Sequence, residues 1–291
     1  MRIGTKRLTH WAGSALGLVG VMFVAFKLAE YGDQIDWSRF SPAVMLGLSG
    51  LVLAYGVANP LLAFAWRDLL RHFRVSVGMG WAFRAYGTSQ LARYVPGNIF
   101  HLAGRQAIGQ AAGLPGWQLA KSAVWELGMI SGCGGLFVLL ITPYLVVEVS
   151  EAEAVAMFVA AVGAAVLLAR RWLGQRIARA VLWYVSFLAL SGGIFLSVLS
   201  LIVPAASISG LPQVGICGAY VVAWLAGLLT PGAPAGVGVR ELVLFTVLQG
   251  VVTQADLLTA VLVGRIVTVG GDVVFYFLAV ATSNVRKQSL A

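Results

Sequence analysis

Two Pro-Gly breaks interrupt long apolar stretches of this chain, and they restrict its fold more than any other feature. The first lies in Leu91 to Gln106, LARYVPGNIFHLAGRQ, and the second in Leu228 to Glu241, LLTPGAPAGVGVRE. Each is followed by an arginine at one distance: nine residues separate Pro96 from Arg105, and Pro231 from Arg240. Inside a bilayer, backbone groups freed by a break must be satisfied by protein or by water in a cavity. An arginine at that depth is costly and marks function by default. The pair predicts a polar site for an anionic group, built where two broken helices meet in mid-membrane.

That reading requires a membrane protein, and composition supplies one. The 291 residues are 59% hydrophobic and 11% charged, with a mean hydropathy of +0.89, whereas a soluble domain carries about 25% charge. No polar stretch reaches the roughly 50 residues of a small soluble domain, which excludes a conventional cytosolic catalytic domain. The formal net charge of +9 comes from basic clusters between apolar spans. That is the pattern of cytoplasmic loops rather than of a nucleic-acid surface. Cys133 and Cys217 sit in apolar spans and build no disulfide framework.

The charge distribution sets the expected topology. Trp11 to Ala29, preceded by Arg2, Lys6 and Arg7, reads as a retained first helix with a cytoplasmic N-terminus. Val44 to Trp66 returns to Arg67, Arg71 and Arg74, and Trp117 to Val147 runs out to Glu148, Glu151 and Glu153. Ala154 to Ala169 returns to Arg170, Arg171, Arg176 and Arg179; Val181 to Val203 goes out, and Leu257 to Thr282 comes back to Arg286 and Lys287. Between these spans, Trp81 to Ala112 and Val214 to Val252 carry the breaks. Their arms are too short for the roughly 20 residues a crossing needs, so each enters and leaves on one side, the first cytoplasmic and the second outer. The alternative for Trp81 to Tyr94, with Arg84, Gln90 and Arg93, is an interfacial amphipathic helix. The expected fold is an all-α integral membrane protein of about six transmembrane helices plus two re-entrant helical hairpins. It forms one domain over 1–291, an inverted-topology repeat with halves of about 1–150 and 151–291. Such repeats place the substrate at the broken helices.

Candidate residues follow from that placement. At the first tip, Gly97 and Asn98 begin a restarting helix whose free N–H groups favour an anion. Asn98, His101 and Arg105 share a face at i, i+3 and i+7. The bland reading is a kinked helix with a snorkelling arginine, or, for His101, a satisfied membrane histidine. At the second tip, Gly232, Gly236 and Gly238 let backbone rather than side chain face a ligand. Arg240 and Glu241 follow, and an internal Arg–Glu pair is the bland alternative. Glu126, Arg265 and Asp272 lie deep in spans, so Glu126 is expected to pair with Arg105 or Arg265. Arg105, Arg240 and Arg265 nearly balance Glu126, Glu241 and Asp272, leaving Arg93 and the helix ends as the excess positive charge.

Two protease patterns compete with these. Gly47-Leu48-Ser49-Gly50 matches the GxSG signature of rhomboid intramembrane proteases, with His101 as its base; the bland reading is small-residue helix packing. Gly270-Gly271-Asp272 has the wrong spacing and no partner Asp for a GxGD aspartyl protease. No Walker, HExxH, Rossmann or Cys/His metal spacing occurs, so no metal and no cofactor are expected.

With these motifs the chain resembles the integral membrane domain of lysylphosphatidylglycerol synthase and its stand-alone relatives. The resemblance rests on Arg93-Tyr94-Val95-Pro96-Gly97, on Pro231 to Glu241, and on Arg265 in the last span. It implies a lipid flippase of the bacterial inner membrane, with both termini cytoplasmic. The cargo would be an anionic phospholipid or a polyprenyl-phosphate-linked lipid. No aminoacyl-transferase domain accompanies these motifs, so synthase activity is not implied. In many relatives the first-half counterpart of Arg265 is also arginine, whereas the region here reads Val124-Trp125-Glu126-Leu127, which leaves the cavity's charge open. Expected head-group contacts are Arg105 above all, then Arg240, Arg93, Asn98, His101, Gly97, Gly232 and Gly236. The alternatives are an intramembrane serine enzyme and a non-transporting accessory protein of envelope glycolipid assembly.

Overall fold

The computed structural model describes Trp37 and residues 40–95, 100–146, 148–203, 212–230, 236, 238–249 and 251–288, and no strand occurs among them. The expected first span, residues 96–99 of the first break tip (with Gly97 and Asn98) and residues 231–235 and 237 of the second (with Gly232) lie outside the described residues. The helices are α1 (Pro42–Ala58), α2 (Pro60–His72), α3 (Met79–Gln90), α4 (Phe100–Ala111), α5 (Gly116–Leu136), α6 (Glu151–Trp172), α7 (Gln175–Ile202), α8 (Gln213–Leu229), α9 (Val239–Val247) and α10 (Gln254–Gln288).

Local signals explain the boundaries. α1 starts with Pro42 behind Ser41, whose hydroxyl accepts the Val44 N–H at 3.3 Å. α6 opens with a capping box, Ser150 N–H donating to Glu153 at 2.8 Å and Glu153 N–H to Ser150 at 3.3 Å. Glu151 and Glu153 in its first turn and Arg170 and Arg171 in its last complement the helix dipole.

Five helical stretches are long and apolar enough to cross a membrane: Pro42–His72, Gly116–Leu145, Glu151–Trp172, Gln175–Ile202 and Ala255–Thr282. They coincide with the five expected spans that lie within the described residues. The protein is thus a multi-pass helical membrane protein. Two spans are less regular than their sequence suggests. Pro42–His72 is broken into α1 and α2 at Asn59-Pro60, where proline removes a helical hydrogen bond. Gly116–Leu145 tightens to a 3-10 turn over Phe137–Ile141 before ending in Thr142–Leu145.

α7 is the hub of the bundle, packing against α1, α2, α5, α6, α8 and α10. α6 lies at the periphery and leaves Val159, Leu167 and Leu168 exposed, as a lipid-facing helix does. α1 crosses α10 at a close approach of two glycines. A Cβ on Gly271 would stand 2.9 Å from the Gly56 nitrogen, so only small residues permit this contact.

The two ends of the bundle differ in charge. At one end Arg179 pairs with Asp68 at 2.8 Å, and Arg176 donates to the Arg71 carbonyl. At the other, Tyr144 donates to the Pro212 carbonyl at 2.8 Å and the Val214 N–H donates to Glu151 at 2.9 Å. α3 begins at the basic end, where Arg67 holds the Val77 carbonyl at 3.3 Å, and α8 begins at the acidic end. α3 packs on α4 and α8 on α9, so each break joins two short helices lying side by side. With 12, 12, 17 and 9 residues, none of the four reaches the roughly 30 Å of a hydrocarbon core at about 1.5 Å per residue. α3 is no surface helix: it buries Ala82, Ala85, Tyr86, Ser89 and Gln90 and packs on α2 and α10.

Candidate functional site

The polar interior is organised by three carboxylates, of which Asp272 is the most enclosed. It is 0% exposed on α10. Tyr94 donates to Oδ2 at 2.6 Å and Arg93 approaches the same oxygen at 3.4 Å. Asn59 donates to Oδ1 at 3.0 Å and Gln90 at 3.3 Å. Every lone-pair direction is occupied, as a buried carboxylate requires. The element Arg93-Tyr94 is therefore an anchor that ties the end of the α3 arm to α10.

The other two carboxylates make pairs of opposite polarity. In the first half Arg105 on α4 reaches Glu126 on α5, with its Nη1 at 2.9 and 2.8 Å from the two oxygens. Its guanidinium lies over the Tyr86 ring at 4.1 Å and near Trp66 at 5.3 Å, while the Tyr86 hydroxyl donates to Glu126 at 2.8 Å. In the second half Glu241 on α9 accepts from Arg265 on α10 at 2.6 Å, and Arg265 also reaches the Gly236 carbonyl at 3.3 Å. Each second arm is thus pinned to the following span by one Arg–carboxylate pair, with the charges exchanged between halves. Glu126 takes the first of its two expected partners. The bland Arg240–Glu241 pair does not form, because Glu241 is held by Arg265 and caps the Gly238 N–H at 2.7 Å.

Arg240 is left over. It is 8% exposed, its Nε has no hydrogen-bond partner among the described residues, and its guanidinium lies 5.7 Å from the Tyr220 ring. Among the described residues of this interior, four arginines (93, 105, 240 and 265) face three carboxylates (126, 241 and 272). The odd cation is Arg240, where sequence pointed to Arg93. Arg105 and Arg240 nevertheless share a local design, each lying over a tyrosine of its own first arm, ten residues before Pro96 and eleven before Pro231.

Two spaces adjoin this network. One, of about 250 Å³, has a polar back wall of Tyr86, Gln90, Arg93, His101 and Glu126 and an apolar rim that includes Leu127, Leu228 and Leu229. Leu127 and Leu229 on this rim are exposed. The second space, about 10 Å³, is enclosed by Tyr55, Arg93, Tyr94, Trp224, Arg240, Arg265 and Thr268. It has room for about one water. Arg93 and Trp224 line both spaces and form the partition between them.

The remaining sequence candidates separate. His101 lines the larger space with Nδ1 unpartnered. Gly236, expected to offer backbone to a ligand, instead packs on α8. Its φ is +72° and a Cβ there would meet the Gly227 Cα at 2.7 Å. Ser49 is exposed and its hydroxyl donates to the Met45 carbonyl at 2.9 Å, a helix back-bond rather than a bond to His101. Sequence reasoning passed over Tyr86, Tyr220, Asn59 and Trp224. The two tyrosines had a legible signal in their nearly equal offsets from the prolines, whereas Asn59 and Trp224 had none. No family model, no curated protein and no solved structure matches the chain.

Proposed function

We propose that this protein is a lipid translocator of the bacterial inner membrane, carrying an anionic phospholipid or a polyprenyl-phosphate-linked lipid. The observation that carries the reading is Arg240, a buried cation with no acceptor among the described residues, next to a cavity with an apolar, partly exposed rim. A buried unpaired guanidinium is several kcal/mol unfavourable unless a ligand completes it. A lipid can do this with its phosphate inside and its chains remaining in the bilayer. Arg240 is the direct phosphate contact in this reading. Arg105, first choice from sequence, acts through Glu126, leaving its unpartnered Nη2 as a further donor.

The two broken segments act as re-entrant hairpins of an inverted repeat, and rocking of one half against the other alternates access. Their first arms start from ends of opposite charge, which supports this arrangement. The basic end faces the cytoplasm. The resemblance to the membrane domain of lysylphosphatidylglycerol synthase points to the same class of cargo. The test is reconstitution into vesicles with fluorescent phosphatidylglycerol and a membrane-impermeant quencher. Lipid movement should be strong for the native chain and lost in Arg240→Ala; equal movement in both would end the proposal.

A further inference from the structure

The interior charges decide more than sign. Arg93–Asp272, Arg105–Glu126 and Arg265–Glu241 are each closed within 4 Å, and Arg240 alone has no counter-charge among the described residues. In a site this enclosed, every uncompensated charge carries a desolvation penalty of several kcal/mol. One negative charge brings the interior to neutrality, and a second would stand unpaired in the same low-dielectric space. We infer that the site selects a singly charged phosphodiester and rejects doubly charged phosphomonoesters and diphosphates, with Arg240 as its counter-charge.

This rests on the translocator reading and narrows it. Phospholipids with a diester head group, and prenyl phosphates capped by a second ester, fit. A bare prenyl phosphate and a prenyl diphosphate sugar do not. The geometry gives each part a place. The head group occupies the 250 Å³ cavity, whose wall offers Gln90, His101 and Tyr86 for hydroxyl or amine groups beyond the phosphate. Arg93, at 3.4 Å the longest of the four contacts to Asp272, and Trp224 separate that cavity from Arg240. When either turns aside, the phosphate meets the cation. Asp272 meanwhile keeps its hydrogen bonds from Tyr94, Asn59 and Gln90, and Arg93 remains beside it at the wall of both spaces.

The experiment is competitive native mass spectrometry of the detergent-solubilised full chain. Phosphatidylglycerol (a diester) and phosphatidic acid (a monoester) are offered in equal amounts at about pH 8.5, where a phosphomonoester is doubly charged. Water-soluble glycerophosphoglycerol serves as a separate competitor, and the vesicle assay runs in parallel. The native chain should retain phosphatidylglycerol in about tenfold excess, Arg240→Lys should keep that preference, and Arg240→Gln should abolish it. Glu126→Gln releases Arg105 as a second cation and should shift retention toward phosphatidic acid by about tenfold. The thermal transition of each lipid-free variant establishes that it is folded. Equal or better retention of phosphatidic acid by the native chain, or a preference unchanged in Arg240→Gln, overturns the assignment while leaving lipid translocation standing. Displacement of lipid by the soluble diester, with no lipid movement in vesicles, keeps the assignment and removes the translocation reading.

Discussion

Arg105 and Arg240 stand at one place in the sequence pattern and in opposite electrostatic circumstances, so the same substitution should act differently on them. Removing the Arg105 charge strands Glu126, which is 5% exposed, with only the Tyr86 hydroxyl. Arg105→Gln should therefore destabilise the fold by about 3–5 kcal/mol, and Arg105→Gln with Glu126→Gln should recover most of it. Arg240→Gln removes a buried charge that has no partner, and stability should stay level or rise. Thermal unfolding in detergent reads all three, and a loss at Arg240 as large as that at Arg105 would mean Arg240 has a native counter-charge. Asp272→Asn is the second test at this scale. It leaves Arg93 without its carboxylate and turns one accepting oxygen into a donor facing other donors. A loss of about 3–5 kcal/mol is expected by the same measurement, with Tyr94→Phe milder at about 1.5–3 kcal/mol.

At the scale of elements, the short helices beside the breaks are held by backbone proximity as much as by charge. α8 and the segment leading into α9 touch at Gly227 and Gly236, each glycine filling the space a Cβ would need at the other. Gly236→Ala adds a left-handed backbone penalty of about 1–2 kcal/mol to that clash. The variant should unfold at lower temperature and lose the Gly236 carbonyl as an acceptor for Arg265. Gly128→Ala makes the control, since a Cβ there meets nothing within 4 Å; equal effects at the two positions would show that the close approach is not maintained. The α3 arm depends on a different device, the Asp272 anchor, which reaches it through Gln90, Arg93 and Tyr94. The α3 arm, through Asp272, and α9, through Arg265, are thereby both fastened to α10.

At the scale of the molecule, the proposal requires the two broken segments to open to opposite faces of the membrane. Single cysteines introduced at exposed Gly78 and Ala112 flank the first segment, and at exposed Gln213 and Thr253 the second. With Cys133 and Cys217 replaced, a membrane-impermeant maleimide should label the first pair from one side only and the second pair from the other. Labelling of Gly78→Cys and Ala112→Cys from opposite sides would make the first segment a crossing and remove the inverted repeat. The charged ends of the bundle belong to the same scale. Arg67 to Arg74 and Arg170 to Arg179 meet through the Arg179–Asp68 pair, and this end should be the cytoplasmic one in the labelling experiment.

Much of this was legible from local order along the chain. Apolar runs about as long as a bilayer is thick located all five spans in the described region, because hydrocarbon admits only backbones that satisfy themselves. The paired prolines and arginines marked the two segments whose helices are shorter than a crossing, and depth in the spans marked Glu126, Arg265 and Asp272 as charges in need of partners. Which partner each found was a matter for the tertiary structure alone. Pairing depends on the azimuth at which packed helices present their side chains, and span boundaries carry no record of it. So Arg93 belongs to Asp272, Glu241 turns to Arg265 instead of its neighbour, and the cation left without a carboxylate among the described residues is Arg240.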